Sequence, residues 1–307
     1  MAHRILDFSQ NPLRLRTRLK QLVVQPENEP PQTIPLEDIA VLIVSHPQVS
    51  FSQAVLEGIA ENGAVLIACN RKSLPIGMFV PLAGHHQPSR RISLQISTST
   101  PLIKRAWQQI VRAKIVAQSK LLDSLFGFDK GLLRLSQRVR SGDPDNVEAM
   151  AARRYWSQLF AGFDFKRKPE GDDDINIRLN FGYGVLRGIV ARAICASGFH
   201  PAIGLHHHNQ YNAYCLADDL MEPFRPLVDR VVRSQFLETG HVGGLTPELK
   251  SELIEPLLGR FLLNGELRTL FEVVTNMAAS LVQFFSKERK ELLIPDSFES
   301  ISEEKPF

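Results

Sequence analysis

The sequence predicts an α+β protein in which a β-rich N-terminal domain precedes a larger, all-α-helical domain. Up to residue 83, short apolar or β-branched runs alternate with turn-forming Pro, Asn and Gly residues. From Leu102 onward, apolar residues instead recur every three or four positions, which is the period of an α-helix. We therefore place a front domain at 1–83, a polar and irregular linker at 84–101, a helical domain at 102–295 and an acidic tail at 296–307.

In the front domain, the sequence predicts short strands and a single helix. The strands are the runs at 22–24, 39–44, 64–67 and 78–80. The helix spans 52–61, where Ser52 is placed to cap the first turn and Val55 and Ile59 share one face. The front domain is therefore expected to be mainly sheet, with one helical crossover.

In the helical domain, the first segment shows a clear apolar stripe. One helix face would carry Leu102, Ala106, Ile110, Ala113 and Ala117, with most basic residues of the segment off that face. Further helices are predicted at about 130–140, 146–161, 177–197, 214–237, 247–263 and 266–289.

The overall composition is that of an ordinary soluble chain. The 307 residues are 44% hydrophobic and 22% charged, with a net charge of +3, which excludes a polybasic protein and a strongly acidic disordered one. The apolar runs at 39–44 and 64–69 are too short for a membrane helix, and the N-terminus lacks the pattern of a signal peptide. Cys69, Cys195 and Cys215 form no CxxC pair. We therefore expect a cytoplasmic protein with reduced thiols and no membrane partner.

The small net charge conceals an uneven distribution. The window 71–120 contains nine basic residues and no acid, whereas the last residues are mostly acidic. The basic residues are Arg71, Lys72, Arg90, Arg91, Lys104, Arg105, Arg112, Lys114 and Lys120. Such a window fits a surface that binds a polyanion, and it equally fits a solvated basic face.

Several acids and histidines stand in unusual settings, whereas motifs for nucleotide phosphates, a serine nucleophile and zinc are absent. Glu148 lies on an apolar helix stripe, where a carboxylate is costly to bury unless it pairs with a neighbouring arginine or binds a cation. Three histidines, at 206–208, follow a predicted turn, and for each of them a role on the surface is an open alternative. Asp218, Asp219 and Glu222 open a largely apolar helix, where either the helix dipole or a cation would stabilise them.

These groups offer two or three carboxylates and one imidazole. That set suits Mg²⁺ or Mn²⁺ better than structural zinc, which prefers Cys and several His ligands. A hard divalent ion on a protein with a basic segment points to phosphodiester chemistry. Spacing alone does not show that the groups converge.

Several longer motifs of the chain match the patterns of one known family. The segment 198–229 contains GFHPAIGLHH and NAYCLADDLMEPFRPLVD, which match G-L-x-P-x-x-G-x-x-H and D-L-M-E-x-F-R-P. These two patterns resemble those of the universal CRISPR adaptation integrase family, in its type II form. VEAMAARRYW at 147–156 resembles E-x-x-A-A-R-x-Y-[WF], and LNFGYGVLR at 179–187 resembles L-N-Y-G-Y-x-x-L. The segments 34–44 and 101–118 are similar to the front domain and linker helix of type II members. The resemblance covers nearly the whole chain except the tail.

The resemblance implies a β-sandwich-like front domain for homodimerisation and a helical catalytic domain. Matched by position, it implies that Glu148, His207 and Glu222 are catalytic ligands of Mg²⁺ or Mn²⁺, with Asp219 as a supporting acid beside them. One departure is Phe181, where the family usually has Tyr, so one hydroxyl available for a DNA or proton contact is lost.

The implied activity is that of a metal-dependent DNA endonuclease and integrase, which joins protospacer 3′-OH ends into the repeat of a CRISPR array by transesterification. The implied DNA-binding residues are Arg153, Arg154, Lys166, Arg167, Lys168 and Arg225. The implied partners are double-stranded DNA, a second copy of the chain, a small second adaptation protein and the type II effector nuclease. Two alternatives stay open: a nucleic-acid-binding structural protein whose acids are merely paired, and a metal nuclease that cuts without joining.

Overall fold

The structure is a computed structural model that describes residues 4–168, 171, 173–240, 244–295 and 297. Its front part contains one helix, α1 (Gln53–Glu61), between the sixth and seventh strands. The strands are β1 (Arg4–Phe8), β2 (Leu13–Arg18), β3 (Gln21–Pro26), β4 (Gln32–Pro35), β5 (Ile39–Val44), β6 (Val49–Phe51), β7 (Val65–Cys69) and β8 (Pro75–Phe79).

These strands form two four-stranded sheets. The first has the order β1-β5-β7-β8, in which β1, β5 and β7 run parallel and β8 is antiparallel to β7. The second has the order β4-β3-β2-β6, antiparallel except that β6 runs parallel to β2. Strand β5 is apolar along its length because both faces are covered. Leu42 packs into the core shared with the second sheet, whereas Val41 and Ile43 pack against the helices.

The predicted strand at 39–44 coincides with β5, those at 22–24 and 64–67 overlap β3 and β7, and that at 78–80 overlaps only the last two residues of β8; the predicted helix at 52–61 corresponds to α1. Ser52 is the N-cap residue of α1, but its side chain makes no capping hydrogen bond. Strands β1, β2, β4 and β6 were missed. In β2, exposed arginines alternate with Leu13 and the buried Leu15, so the strand shows no continuous apolar run.

The rest of the described chain is mainly helical. Its helices are α2 (Pro88–Ser97), α3 (Thr100–Phe126), α4 (Leu132–Ser136), α5 (Val147–Leu159), α6 (Asp174–Ala196), α7 (Cys215–Met221), α8 (Arg225–Thr239), α9 (Pro247–Ile254) and α10 (Leu270–Phe285). Helix α6 is buried on nearly all sides and packs against the first sheet. Gly188 allows this close approach, since a Cβ there would lie 2.7 Å from the side chain of Ile67.

The prediction that this part is entirely helical is wrong. An antiparallel hairpin, β9 (Arg260–Leu263) and β10 (Glu266–Thr269), replaces the ends of the helices predicted at 247–263 and 266–289. Asn264 and Gly265 connect its strands, both with positive φ. An Asn-Gly pair favours the two-residue turn whose twist matches a β-hairpin, and this local preference overrides the helical spacing of the flanking leucines.

The polarity of the segment 84–101 had predicted an irregular linker, and this prediction is wrong. The segment forms α2 and the start of α3. The side chain of Gln95 on α2 is buried, donating to the carbonyl oxygens of His200 (3.0 Å) and Ile203 (2.8 Å) and accepting from the N–H of His200 (2.8 Å). At Gln95, this polar segment therefore binds backbone groups of a neighbouring turn rather than solvent. The domain boundaries drawn from the sequence stay predictions.

The structure also describes the lengths of the apolar helices and the state of the cysteines. No helix in the described part of the chain is long and apolar enough to cross a membrane. The three cysteines are free thiols, with Cys195 and Cys215 buried and Cys69 half-buried. The predicted acidic tail at 296–307 lies outside the described residues except for residue 297.

Candidate metal and DNA site

Glu148 is held at the start of α5. The side chain of the N-cap residue, Asn146, makes no capping hydrogen bond. Instead, the carboxylate of Asp143 accepts the backbone N–H groups of Val147 and Glu148, each at 2.9 Å. Because unpaired N–H groups at a helix start attract an acceptor, Asp143 both stabilises α5 and fixes the backbone of Glu148.

Glu222 lies at a break between two helices, where the sequence had predicted one continuous helix at 214–237. Helix α7 ends at Met221, a 3₁₀ turn follows at Glu222–Phe224, and α8 begins at Arg225. Pro223 explains the break, since its ring clashes with the carbonyl of the fourth residue before it and it has no N–H to donate. The break places the Glu222 side chain, only 4% exposed, toward α3 rather than along a continuous helix face.

The two glutamates converge on Lys114, a buried residue of α3. The Nζ atom of Lys114 lies 2.6 Å from Glu148 Oε1 and 2.6 Å from Glu222 Oε2. The other oxygen of Glu222, Oε1, accepts a hydrogen bond from Arg225 Nη1 at 2.7 Å. Burial by itself would raise the pKa of Glu222, but the positive charges of Arg225 and Lys114 outweigh it and lower this pKa to about 2.

His207 is oriented by Asp219. The imidazole Nδ1 lies 2.6 Å from Asp219 Oδ1, while the backbone N–H groups of Leu205 and His206 donate to Oδ2 at 2.5 and 3.1 Å. This contact leaves the Nε2 atom of His207 as the nitrogen available to a ligand. The hydrogen bond to Asp219 raises the pKa of His207 above its usual value, despite the opposing effect of burial.

The turn before His207 requires glycine at its first position. A Cβ on Gly204 would lie 2.4 Å from the carbonyl oxygen of His207 and 2.9 Å from Asp219 Oδ2. Trp107 on α3 packs beneath the same turn, stacked on His206 at 4.5 Å and edge-on to His207 at 6.0 Å between ring centroids. The three-residue spacing between Gly204 and His207 is thus explained by a tight turn, which packs over Asp219 and Trp107.

The donor chemistry of Glu148, Glu222 and His207 fits a hard divalent ion. Two carboxylates already converge on one cation, with an oxygen of Glu148 and an oxygen of Glu222 each 2.6 Å from the Lys114 ammonium. Among the described residues, however, no three His, Cys, Asp or Glu side chains are yet arranged around a common point. The donor types therefore suit a metal ion, and Lys114 is the cation that lies between the two carboxylates in this structure.

Asp218, the third acid of the sequence cluster, faces other partners. Its carboxylate accepts from Arg187 Nε at 2.6 Å and from Asn212 Nδ2 at 2.7 Å. Both groups lie along a cavity of about 600 Å³ that is also lined by His207 and Glu222. Asp218 therefore orders the wall of this cavity and does not point at Lys114.

Two of the predicted DNA-binding residues, Arg167 and Arg225, line that cavity. Arg167 is held by Asn176 (2.7 Å) and Asn180 (2.8 Å), and Arg225 lies over the ring of Tyr183 at 4.1 Å. The other predicted residues, Arg153, Arg154, Lys166 and Lys168, are exposed and do not line it. The prediction thus separates into two arginines beside the candidate metal ligands and four basic residues on the outer surface.

A buried acid that the sequence reasoning missed supports this wall. Asp229 on α8 is 1% exposed and accepts hydrogen bonds from the hydroxyls of Tyr155 (2.7 Å) and Tyr183. Burial raises the pKa of Asp229 to about 6, although the two tyrosines and Arg225 oppose the shift. Asp229 lies three residues after the DLMEPFRP motif (219–226), and this closeness to the motif was the signal available in the sequence.

Two other expectations change with the structure. Lys114 was counted with the basic residues of a surface, yet it is only 9% exposed and lies among acids. The alternative partner expected for Glu148 was an arginine, and its actual partner is this lysine. Phe181 is fully buried, near Lys250 Nζ at 5.6 Å from the ring centroid, so a hydroxyl at this position would not reach DNA.

Comparisons with known proteins agree on one family. The family profile described as CRISPR associated protein Cas1 matches residues 8–239. A CRISPR-associated endonuclease Cas1 from Neisseria meningitidis serogroup C (strain 8013) is 36% identical over 291 residues, which cover 94% of both chains.

Solved structures share the fold at low sequence identity. A casposase bound to integration product matches with a TM-score of 0.76 at 18% identity, over 95% of this chain and 92% of the casposase chain. A chain of a Cas6-RT-Cas1–Cas2 complex matches with a TM-score of 0.74 at 18% identity, over 95% of this chain and 36% of its own. The chain therefore has the same fold as these structures, with N-terminal strands followed by a mainly helical region.

Proposed function

The chain belongs to the CRISPR-associated Cas1 family, and from this membership we propose how its site works. The protein is an endonuclease and integrase of CRISPR adaptation. It joins the 3′-OH ends of a protospacer into the repeat of a CRISPR array, exchanging one phosphodiester for another, so no nucleotide hydrolysis is required. The observation that carries the proposal is the convergence of Glu148 and Glu222 on one cation, next to His207 and a cavity lined by arginines.

Glu148, Glu222 and the Nε2 atom of His207 would hold Mg²⁺ or Mn²⁺. When bound, the ion would polarise the scissile phosphate and stabilise the charge that develops on the exchanging oxygens. Asp219 holds the imidazole through Nδ1, so Nε2 keeps one orientation. Asp143 holds the backbone of Glu148. The three proposed ligands thus come from three separate segments: the start of α5, the turn at 204–207 and the break after α7.

Arg167 and Arg225 would bind the phosphate groups that enter the cavity. Arg225 is supported from below by the Tyr183 ring, which Asp229 fixes through its hydroxyl. A guanidinium held in this way loses little conformational freedom when it meets a phosphate. The exposed Arg153, Arg154, Lys166 and Lys168 would contact the DNA backbone further out, with binding that depends on salt and little on sequence.

The proposed partners follow from the fold. A Cas1–Cas2 complex contains a chain of this fold, which supports a small second adaptation protein as the partner of this chain. The casposase of the same fold is bound to an integration product, which supports double-stranded DNA as the substrate. The two-sheet front domain, a β-sandwich-like unit, would form the homodimer, and the type II effector nuclease would help to select protospacers.

Loss of Glu148 tests the proposal directly. A labelled duplex with free 3′ ends is incubated with supercoiled plasmid and Mn²⁺, and products joined to the label are measured. Glu148→Ala is expected to abolish joining, because a ligand is lost, whereas Glu57→Ala on the exposed side of α1 serves as the matched control. Joining by Glu148→Ala at the rate of the unchanged protein, or joining in EDTA, would show that the metal-site proposal is wrong.

One observation favours the second candidate, a DNA-binding structural protein. Lys114 neutralises Glu148 and Glu222, as expected of acids that are merely paired. That candidate predicts duplex binding without any metal-dependent change in the DNA. A metal nuclease without strand joining predicts cut plasmid that never acquires the label. The same assay therefore separates all three functions.

A further inference from the structure

Lys114 is a buried cation that the proposed mechanism does not use. It lies on α3 between the buried residues Ala113 and Ile115, and its side chain is 11% exposed. A lysine is rarely buried in this way unless it is paired. Here the pairing partners are Glu148 and Glu222, the two acids proposed to bind the metal ion.

We propose that the Lys114 ammonium is a tethered competitor of the metal ion: it neutralises Glu148 and Glu222 in the metal-free protein, and the ion binds only when the ammonium leaves. The inference rests on the proposed metal site. It concerns what fills the position between the two carboxylates before a metal ion arrives.

The contact distances make the two cations mutually exclusive. The ammonium lies 2.6 Å from one oxygen of each glutamate and so bridges the two carboxylates. Mg²⁺ and Mn²⁺ bind carboxylate oxygens at roughly 2.0–2.2 Å, so an ion bridging the same oxygens would take nearly the same position. Two positive charges that close together, in a site shielded from water, repel strongly.

The lysine also has a role when no metal is bound. Glu222 is buried and Glu148 is largely shielded, so without a cation their charges would repel each other at a high desolvation cost. Of the two Glu222 oxygens, Oε1 accepts a hydrogen bond from Arg225, whereas Oε2 and the Glu148 carboxylate pair with Lys114. The long, flexible lysine side chain allows the ammonium to withdraw without a change in the backbone of α3.

The test is the affinity for Mn²⁺ of the full chain without DNA, measured by isothermal titration calorimetry. Lys114→Met removes the competitor while preserving much of the side-chain volume, and we expect it to bind Mn²⁺ about tenfold more tightly, or better, than the unchanged protein. Lys104→Met changes the net charge by the same amount at an exposed position of α3, and it should bind as the unchanged protein does. Lys114→Arg keeps a cation and should not bind more tightly.

A second readout is independent of the calorimetry. In EDTA, Lys114→Met should melt at a lower temperature than the unchanged protein, since two acids lose their counter-charge; Mn²⁺ should narrow or reverse this difference. If Lys114→Met does not fold, Lys114→Gln takes its place in both measurements. Equal or weaker Mn²⁺ binding by a folded variant without the lysine charge overturns the proposal.

The outcomes also separate this inference from the metal site itself. If the unchanged protein binds Mn²⁺ and Glu148→Ala does not, the metal site stands, and the Lys114 comparison alone decides the competition. If neither the unchanged protein nor the Lys114 variants bind Mn²⁺, both proposals are wrong.

Discussion

Asp219 and Glu222 lie less than one helical turn apart, yet they face different partners. Asp219 is fully buried and accepts backbone N–H groups from the turn before His207. Glu222 contacts two side-chain cations, Lys114 and Arg225. A carboxylate held by backbone groups is fixed, whereas one held by side chains can exchange its partner. Asp219 is therefore suited to orient a ligand, and Glu222 is suited to be one.

The neighbouring histidines give a sharp prediction about register. His207 contacts Asp219 through its ring, whereas the His206 ring stacks on Trp107 and is exposed. We expect His207→Ala to lower the initial rate of strand joining by more than about 100-fold, since a proposed ligand is lost, and His206→Ala to lower it by less than about tenfold. Both rates are measured in the plasmid joining assay. Comparable losses in the two variants would mean that the metal-binding histidine has been misassigned.

Asp229 predicts how stability varies with pH. Its pKa is raised from 3.8 to about 6 by burial, so between these values the folded protein keeps a proton that the unfolded chain has released. The contribution of Asp229 to stability is complete below 3.8 and is lost as the pH rises through about 6. We therefore compare the free energy of unfolding of Asp229→Asn with that of the unchanged protein at each pH. The value for the variant, minus the value for the unchanged protein, should be larger at pH 7.5 than at pH 4, because the unchanged protein loses stability as the pH rises.

The measurement for Asp229 is urea denaturation of both proteins at each pH. Taking the difference between them removes the titration of all other groups that they share. Asp164→Asn, at an exposed position, is the control and should show the same difference at both pH values. A difference for Asp229→Asn that is independent of pH would contradict the prediction.

At the scale of elements, two local backbone features build the site. Pro223, the residue after Glu222, causes the break that follows α7. The turn at 204–207 closes over Asp219. Neither feature belongs to a helix interior, where side chains would be confined to the helix surface. The break and the turn allow Glu222 and His207 to line the same cavity.

Gly204→Ala tests the turn. The added Cβ would meet the backbone oxygen of His207 at 2.4 Å, so the turn must shift and the contact between Asp219 and His207 is disturbed. We expect the free energy of unfolding to fall by about 1–3 kcal/mol, together with a loss of Mn²⁺ binding. Gly77→Ala is the control, since a Cβ there would meet nothing within 4 Å. Unchanged Mn²⁺ affinity in Gly204→Ala would show that the turn does not position the histidine.

The elements also show which parts of the structure could be predicted. Strand β5 and helix α1 were evident because their apolar patterns match their burial. The β9–β10 hairpin was missed although Asn264-Gly265 was visible, because the flanking leucines also fit a helix. The Glu148, His207 and Glu222 assignment depended on motifs. The burial of Lys114 could not be predicted, because its partner Glu148 is distant in the sequence and local residue spacing does not indicate such a contact.

At the scale of the whole molecule, charge is separated by depth. Lys114 and Arg225 face acids, whereas Lys104, Arg105 and Arg112 on α3 are exposed. The net charge of +3 averages these two populations and describes neither. Only the exposed population can attract DNA from solution, because the buried cations already have partners.

The outer basic residues therefore predict the salt dependence of DNA binding. Each phosphate contact contributes about 0.9 to the slope of log K against log salt on duplex DNA, so changing both Arg153 and Arg154 to Gln should reduce the slope by about two. Affinity for a labelled duplex is measured by fluorescence anisotropy between 50 and ~300 mM salt. As the control, Arg14 and Arg16, both exposed on β2 of the front domain, are changed to Gln. If DNA binds the helical region and not that sheet, the control keeps the full slope; equal reductions in both variants would place DNA over the front domain as well.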